Sequence, residues 1–151
     1  MKNYLKSAFE LKLTNDTTLT KETLMDQKFI LFVYPKDHTS ACTLEAREFS
    51  KLYDAFKAEG YEVYGISKDT LGSHKKFKEK EEIPFELVAD PQKEVLTMLD
   101  VFKEKKMYGK TVMGTVRSTF IFDEGLKLTA EFRDIKASGH AEAILEFVKD
   151  A

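Results

Sequence analysis

Residues 28–45 read KFILFVYPKDHTSACTLE, and this stretch decides the fold. Its first part is apolar from Phe29 to Tyr34 and is closed by Pro35. That pattern predicts a buried central strand over residues 28–34. The second part opens a helix predicted over residues 41–59, with Ala46, Phe49, Leu52, Tyr53 and Phe56 on one face and Gly60 as its stop. Between strand and helix lies a loop at the carboxyl end of a strand, the edge of an α/β sheet where ligands usually bind. Cys42 falls in the first helical turn, where unbonded N–H groups and the positive dipole end favour an anion.

Working outward, residues 63–67 (VYGIS) and 85–89 (FELVA) are short strand candidates. Residues 118–122 (STFIF) and 128–132 (LTAEF) flank Asp123-Glu124-Gly125, a hairpin turn. Helices are predicted over 70–82, over 93–101, and after Ser138, which is placed to serve as an N-cap. Residues 70–82 are charge-laced, with few core anchors. A βαβ opening followed by an antiparallel pair implies an α/β class: a central mixed sheet flanked by helices on both faces.

Composition bounds the rest. The chain has 151 residues, 42% hydrophobic and 33% charged, which suits a single domain over residues 1–151 with a substantial core. Basic residues number 24 and acidic ones 26, for a net charge of −2, which argues against a nucleic-acid or membrane coat. The longest apolar run is far short of the ~20 residues that span a bilayer, and no secretory signal is visible. A single cysteine excludes an intrachain disulfide and suits a reducing compartment, so the expected location is cytoplasmic.

Position alone leaves two readings of Cys42. Most free cysteines are small buried hydrophobes, and Cys42 shares a helical face with Ala46 and Phe49. A thiol at a helix start is also a candidate nucleophile.

The neighbours discriminate. Pro35, Thr39 and Cys42 form a Pro-x-x-x-Thr-x-x-Cys pattern that resembles the peroxidatic signature of peroxiredoxins. FILFVYPKDHTSACTLEAREF is similar to the peroxiredoxin Q branch, also called bacterioferritin comigratory protein. The resemblance continues through YGISKDTLGSHKKF, IPFELVADP, KEKKMYGKTVMGTVRSTFIFDEG and ASGHAEAILEF. It implies a thioredoxin-like fold and a thiol peroxidase that reduces hydrogen peroxide and organic hydroperoxides, without cofactor or metal. In that reading Cys42 attacks the peroxide and becomes sulfenic acid. Thr39 donates to the thiolate or orients the peroxide, and Pro35 restricts the loop and helps exclude water. Arg117, at the start of an apolar strand, stabilises the thiolate and the charge on the breaking O–O bond. Glu45 either orients Arg117 or answers the helix dipole.

The chain departs from the family pattern as well. Arg47 stands five residues after Cys42, where many members carry a resolving cysteine, and residues 70–82 contain none. The expected reductant is therefore an external thiol: thioredoxin, glutaredoxin or a small thiol. A monomer is expected, with a weak dimer as the alternative. Ser40-Ala41 replaces the Pro-Gly common before the cysteine, and Ala8-Phe9 is what remains of an N-terminal Ala-Pro-Asp-Phe element.

Other signals are weaker. Gly109-Lys110-Thr111 ends like a phosphate-binding loop, but Glu104 stands where the first glycine is required. Lys103, Lys105, Lys106 and Lys110, interleaved with Met107 and Tyr108, read as a solvated loop. His38, His74 and His140 lie in separate segments and predict no metal site. A redox-regulated binding or holdase protein is the alternative function, and a metal-binding module a third.

Overall fold

The computed structural model describes residues 4–150. In chain order the elements are β1 (Glu10–Leu13), β2 (Thr18–Thr20), α1 (Lys21–Met25), β3 (Lys28–Val33), α2 (Ser40–Ala58), β4 (Tyr61–Ser67) and α3 (Leu71–Glu81). They continue with β5 (Glu86–Ala89), α4 (Glu94–Met98), β6 (Phe102–Met107), β7 (Lys110–Thr115), β8 (Ser118–Asp123), β9 (Lys127–Arg133) and α5 (His140–Lys149).

Seven strands form one sheet in the order β2-β1-β5-β4-β3-β8-β9, and β6 and β7 pair separately. β3, β4 and β5 run parallel, whereas β8 and β9 are antiparallel additions on one side and β1 and β2 on the other. Side chains of β3 alternate between two packed layers. Ile30 and Phe32, with Tyr34 just beyond, meet Ala46, Phe49 and Phe56 of α2, Phe77 of α3 and Ile144 of α5. Phe29, Leu31 and Val33 face the opposite layer, with Leu24 of α1 and Val95 and Leu96 of α4. Covering both faces explains why the strand reads as an unbroken apolar run. Among the described residues, no helix is long and apolar enough to cross a membrane.

The predicted central elements are present, with some ends shifted. α4 is shorter than the 93–101 pattern. Lys93 and Asp100 take left-handed φ of 59° and 58° at its two ends, and the Asp90 carboxylate caps it by accepting from the N–H groups of Glu94 (2.8 Å) and Leu96 (2.9 Å). Ser138 is not the N-cap of the last helix. Gly139 takes that position, at φ 77°, without a side-chain cap bond. β1, β2, α1 and the β6–β7 hairpin were not expected. The hairpin turns at Tyr108 and Gly109, both at positive φ, and Tyr108 is 98% exposed. The side chains of Lys105 and Met107, part of the basic cluster read from the sequence, lie outside the described residues.

Candidate active site

Sheet register assembles the site. β8 pairs antiparallel with β3, Ser118 opposite Val33. Arg117 therefore lies at the carboxyl end of β3, the edge from which the chain enters α2. Its backbone is tied there, the Arg117 carbonyl accepting from Ile135 N–H at 3.1 Å. β3 itself stops because Pro35 has no N–H to continue the ladder, and its last bond to β4 runs from Tyr34 N–H to the Ile66 carbonyl, 3.1 Å. Pro35 is half-buried.

Cys42 is the third residue of α2 and only 1% exposed. The N–H groups of this first turn have no intrahelical carbonyl to bond. Arg117 donates from Nη2 to the Cys42 Sγ at 3.3 Å and from Nη1 to Glu45 Oε1 at 2.6 Å. Its fork thus spans two residues one helical turn apart on α2. Glu45 is fully buried, and its Oε2 has no hydrogen-bond partner among the described residues. Burial pushes the Glu45 carboxyl up to about 7, against the pull of the Arg117 guanidinium. Burial works against the Arg117 charge, but Glu45 and Cys42 outweigh it and hold that group above its ordinary range.

Thr39 is the N-cap of α2 but makes no side-chain cap bond. Its hydroxyl donates to the Lys36 carbonyl at 2.8 Å, closing the turn that precedes the helix. The structure thus brings Cys42, Arg117 and Glu45 together, sets Pro35 and Thr39 in the connecting loop, and turns the Thr39 proton away from the sulfur.

A second polar cluster at the same edge escaped the sequence. Asp37 is 3% exposed and His74 is fully buried. Asp37 Oδ1 accepts from the Tyr34 hydroxyl at 2.6 Å, and its Oδ2 accepts from Ser73 Oγ at 2.8 Å and faces His74 Nδ1 at 2.8 Å. The Asp37 N–H donates to Asp69 at 3.0 Å. Burial pushes the Asp37 carboxyl up, but His74 and the two hydroxyls more than offset that and hold it below its ordinary value. Burial and the nearby Asp37 raise the Tyr34 phenol well above its usual range. Asp37, Asp69 and His74 have one ligand-type atom each within 4.8 Å of one another; Asp69 and His74 share one stretch of chain, whereas Asp37 meets His74 across 37 residues. Asp37 Oδ2 and His74 Nδ1 already bond each other, and Asp69 Oδ2 accepts from the Asp37 N–H and the Ser67 hydroxyl.

His140, the first residue of α5, faces Thr119 Oγ1 at 2.7 Å. Burial, followed by the Arg117 charge, pushes its pKa down to about 4.

The chain matches the AhpC/TSA family over residues 6–131. It is 36% identical over 139 residues to a peroxiredoxin Bcp of Xanthomonas campestris pv. campestris, an overlap of 92% of this chain and 87% of that one. Identity to the peroxiredoxin Bcp of Bacillus subtilis is 36% over 141 residues, 93% and 90% of the two chains. Among solved structures, the bacterioferritin comigratory protein of Xanthomonas campestris, studied for alkyl peroxide reduction, superposes with a TM-score of 0.89. Its identity is 34%, over 94% of this chain and 90% of that one.

Proposed function

Because the chain belongs to the AhpC/TSA family, among the peroxiredoxins of the Bcp (peroxiredoxin Q) branch, we propose that its Cys42 is the peroxidatic thiol and Arg117 its electrostatic partner. The protein is a thiol-dependent peroxidase with a thioredoxin-like fold. The observation that carries the residue assignment is the Arg117 Nη2–Cys42 Sγ hydrogen bond at 3.3 Å, made across 75 residues of chain.

The Cys42 thiolate attacks one peroxide oxygen, forming an S–O bond while the O–O bond breaks. The second oxygen leaves with the electron pair and takes a proton, giving water or an alcohol. Arg117, always charged, donates to the sulfur and faces the charge that develops on the oxygens. The free N–H groups of the first α2 turn add the positive end of the helix at the Cys42 end of α2. Glu45 holds the other arm of Arg117 and fixes its aim. Thr39 shapes the loop through Lys36, and its hydroxyl oxygen keeps a lone pair to accept from the peroxide O–H. Pro35 limits the loop and shields the sulfur from water.

With one cysteine in 151 residues, no thiol of the same chain resolves the sulfenic acid. An external thiol condenses with it, releasing water and leaving a mixed disulfide, and a second thiol exchange frees Cys42. Thioredoxin, glutaredoxin or a small thiol fits this role, acting on a monomer in the cytoplasm.

The test is intact-mass analysis after one and then about ten equivalents of peroxide without thiol. Cys42 gains one oxygen, then two and three; with thiol present, turnover resumes and Cys42→Ser abolishes it. Quantitative covalent dimer after one equivalent would overturn the scheme. A holdase without turnover, the alternative reading, consumes peroxide only stoichiometrically in the same assay with thiol in excess.

A further inference from the structure

The β6–β7 hairpin stands outside the main sheet but is fastened at the edge that holds Cys42. Its second strand ends at Thr115, two residues before Arg117, whose side chain donates to the Cys42 sulfur. At the base, the Val116 N–H donates to the Val101 carbonyl at 2.7 Å, Thr115 is buried and Phe102 is half-buried. Lys93 Nζ stands 5.3 Å, and Lys68 Nζ 6.0 Å, from the centre of the Phe102 ring. From that base the six-residue strands reach ~20 Å to the turn at Tyr108.

Exposed apolar side chains and positive charge gather on this hairpin. Six large apolar side chains stand exposed among the described residues, and Tyr108, Val112 and Met113 are three of them. A fourth, Leu44, lies on α2 two residues past Cys42. Apolar side chains grouped in this way mark a contact surface, and Tyr and Met are enriched in such surfaces. The register places Lys103, Val112 and Lys110 on one face of the hairpin, with Glu104, Met113 and the packed Phe102 on the other. No acidic residue falls on the first face. Asp100 meets Lys103 at 3.3 Å, in an exposed pair that holds neither group firmly. The chain as a whole carries a net charge of −2, so this basic face is a local feature.

We propose that the β6–β7 hairpin is the docking surface for the reductant, and that the reductant is a thiol protein with an acidic surface around its reactive cysteine. This rests on Cys42 being the peroxidatic thiol. The lysines attract the partner's carboxylates, and Val112 and Tyr108 give it apolar surface to cover. A second copy of this chain is a poor occupant, because two basic hairpins repel each other and edge lysines oppose strand addition. A small thiol covers too little of so long a surface to use it. In the step served, the partner's thiol condenses with the Cys42 sulfenic acid, forming an S–S bond and releasing water. A second thiol of the partner then attacks that bond, leaving a disulfide on the partner and a thiol on Cys42.

The experiment follows peroxide turnover by the full chain, with the reductant limiting, on two probes. They are short single-cysteine peptides, alike except for glutamates or lysines flanking the cysteine; 2-mercaptoethanol is the uncharged control. Rates are taken per thiolate, since flanking charges shift the peptide thiol itself. The glutamate peptide outruns the lysine peptide about tenfold at about 0.02 M salt and about twofold at about 0.5 M. Lys103→Glu with Lys110→Glu brings the low-salt ratio to about one or inverts it, while the 2-mercaptoethanol and peroxide rates stay within about twofold. Lys127→Glu with Lys149→Glu makes the same change in net charge elsewhere and keeps the ratio. Lys127 pairs with Asp123, at the far end of β8 from Arg117, and Lys149 ends α5. A ratio near one in the unmodified chain, or a ratio lowered equally by both double variants, overturns the proposal. So does a dimer in solution that Lys103→Glu with Lys110→Glu splits, which would assign the surface to a second copy. Turnover with 2-mercaptoethanol but no peptide preference strikes the docking surface alone, whereas no turnover with any thiol strikes the catalytic assignment as well.

Discussion

Arg117→Ala separates what the arginine does for chemistry from what it does for the fold. At the sulfur, the variant loses a charged donor at 3.3 Å. Removing one such donor from a site of developing charge costs about 10²–10³ in rate, or roughly 2.7–4 kcal/mol. Beneath the site, Glu45 loses the cation held at 2.6 Å while remaining fully buried. A buried charge stripped of its partner costs about 3–5 kcal/mol, unless it takes up a proton. The Glu45 carboxyl already stands near 7 in the folded chain against an ordinary 4.5, and Arg117 supplies the pulls that lower it, so without Arg117 it rises further. A carboxyl with its folded pKa raised contributes stability that is complete below about 4.5 and is lost as pH climbs through the folded value. Arg117→Ala is therefore destabilised more steeply than the parent between about pH 5 and pH 8. Adding Glu45→Gln removes the titrating group and flattens that slope without restoring the peroxide rate. Stopped-flow peroxide kinetics and urea melts at the two pH values provide the readings. A single variant within about threefold of the parent rate, or a double variant with its rate restored, would refute the reasoning.

Thr39→Val deletes the hydroxyl that closes the turn on Lys36 and slows peroxide reduction about tenfold, whereas Thr39→Ser stays within about threefold by keeping that bond; stopped-flow rates on the pair check it. Gly65→Ala places a methyl 2.7 Å from Phe32 Cζ and 2.8 Å from Leu87 Cδ2. Such overpacking lowers stability by about 1–3 kcal/mol, read as a shifted urea midpoint. His140, with its folded pKa near 4 rather than 6.5, contributes stability that is present above 6.5 and lost as pH falls toward 4. His140→Gln flattens that acid limb of the stability profile, while an unchanged limb would remove His140 from the account.

The parts that were legible in the sequence are those in which one segment suffices. β3 carries its double burial in a continuous apolar run, and α2 shows its buried face at helical spacing, so the place of Cys42 between them could be read directly. β1 was not legible because four residues with two inward leucines make too short an alternation. The β6–β7 hairpin was not legible because its lysines carry no apolar period; its turn depends on Tyr108 and Gly109 at positive φ. α3 shows few anchors in its sequence because one of the two is a histidine, and His74 is an anchor only opposite Asp37. Arg117 was found through a family pattern, and its distance to the sulfur required the β3–β8 register. Proximity between remote segments is a property of topology and leaves no local trace.

The β3–β8 pairing also has a consequence for the order of events during synthesis. Cys42 leaves the ribosome 75 residues before Arg117, and Arg117 reaches the sulfur only when β8 docks along β3. A nascent, truncated or thermally unfolded chain therefore displays a thiol with ordinary solution chemistry, accessible but not activated. On the proposed assignment, reactivity toward peroxide is acquired only when the sheet is completed and is lost when the sheet opens.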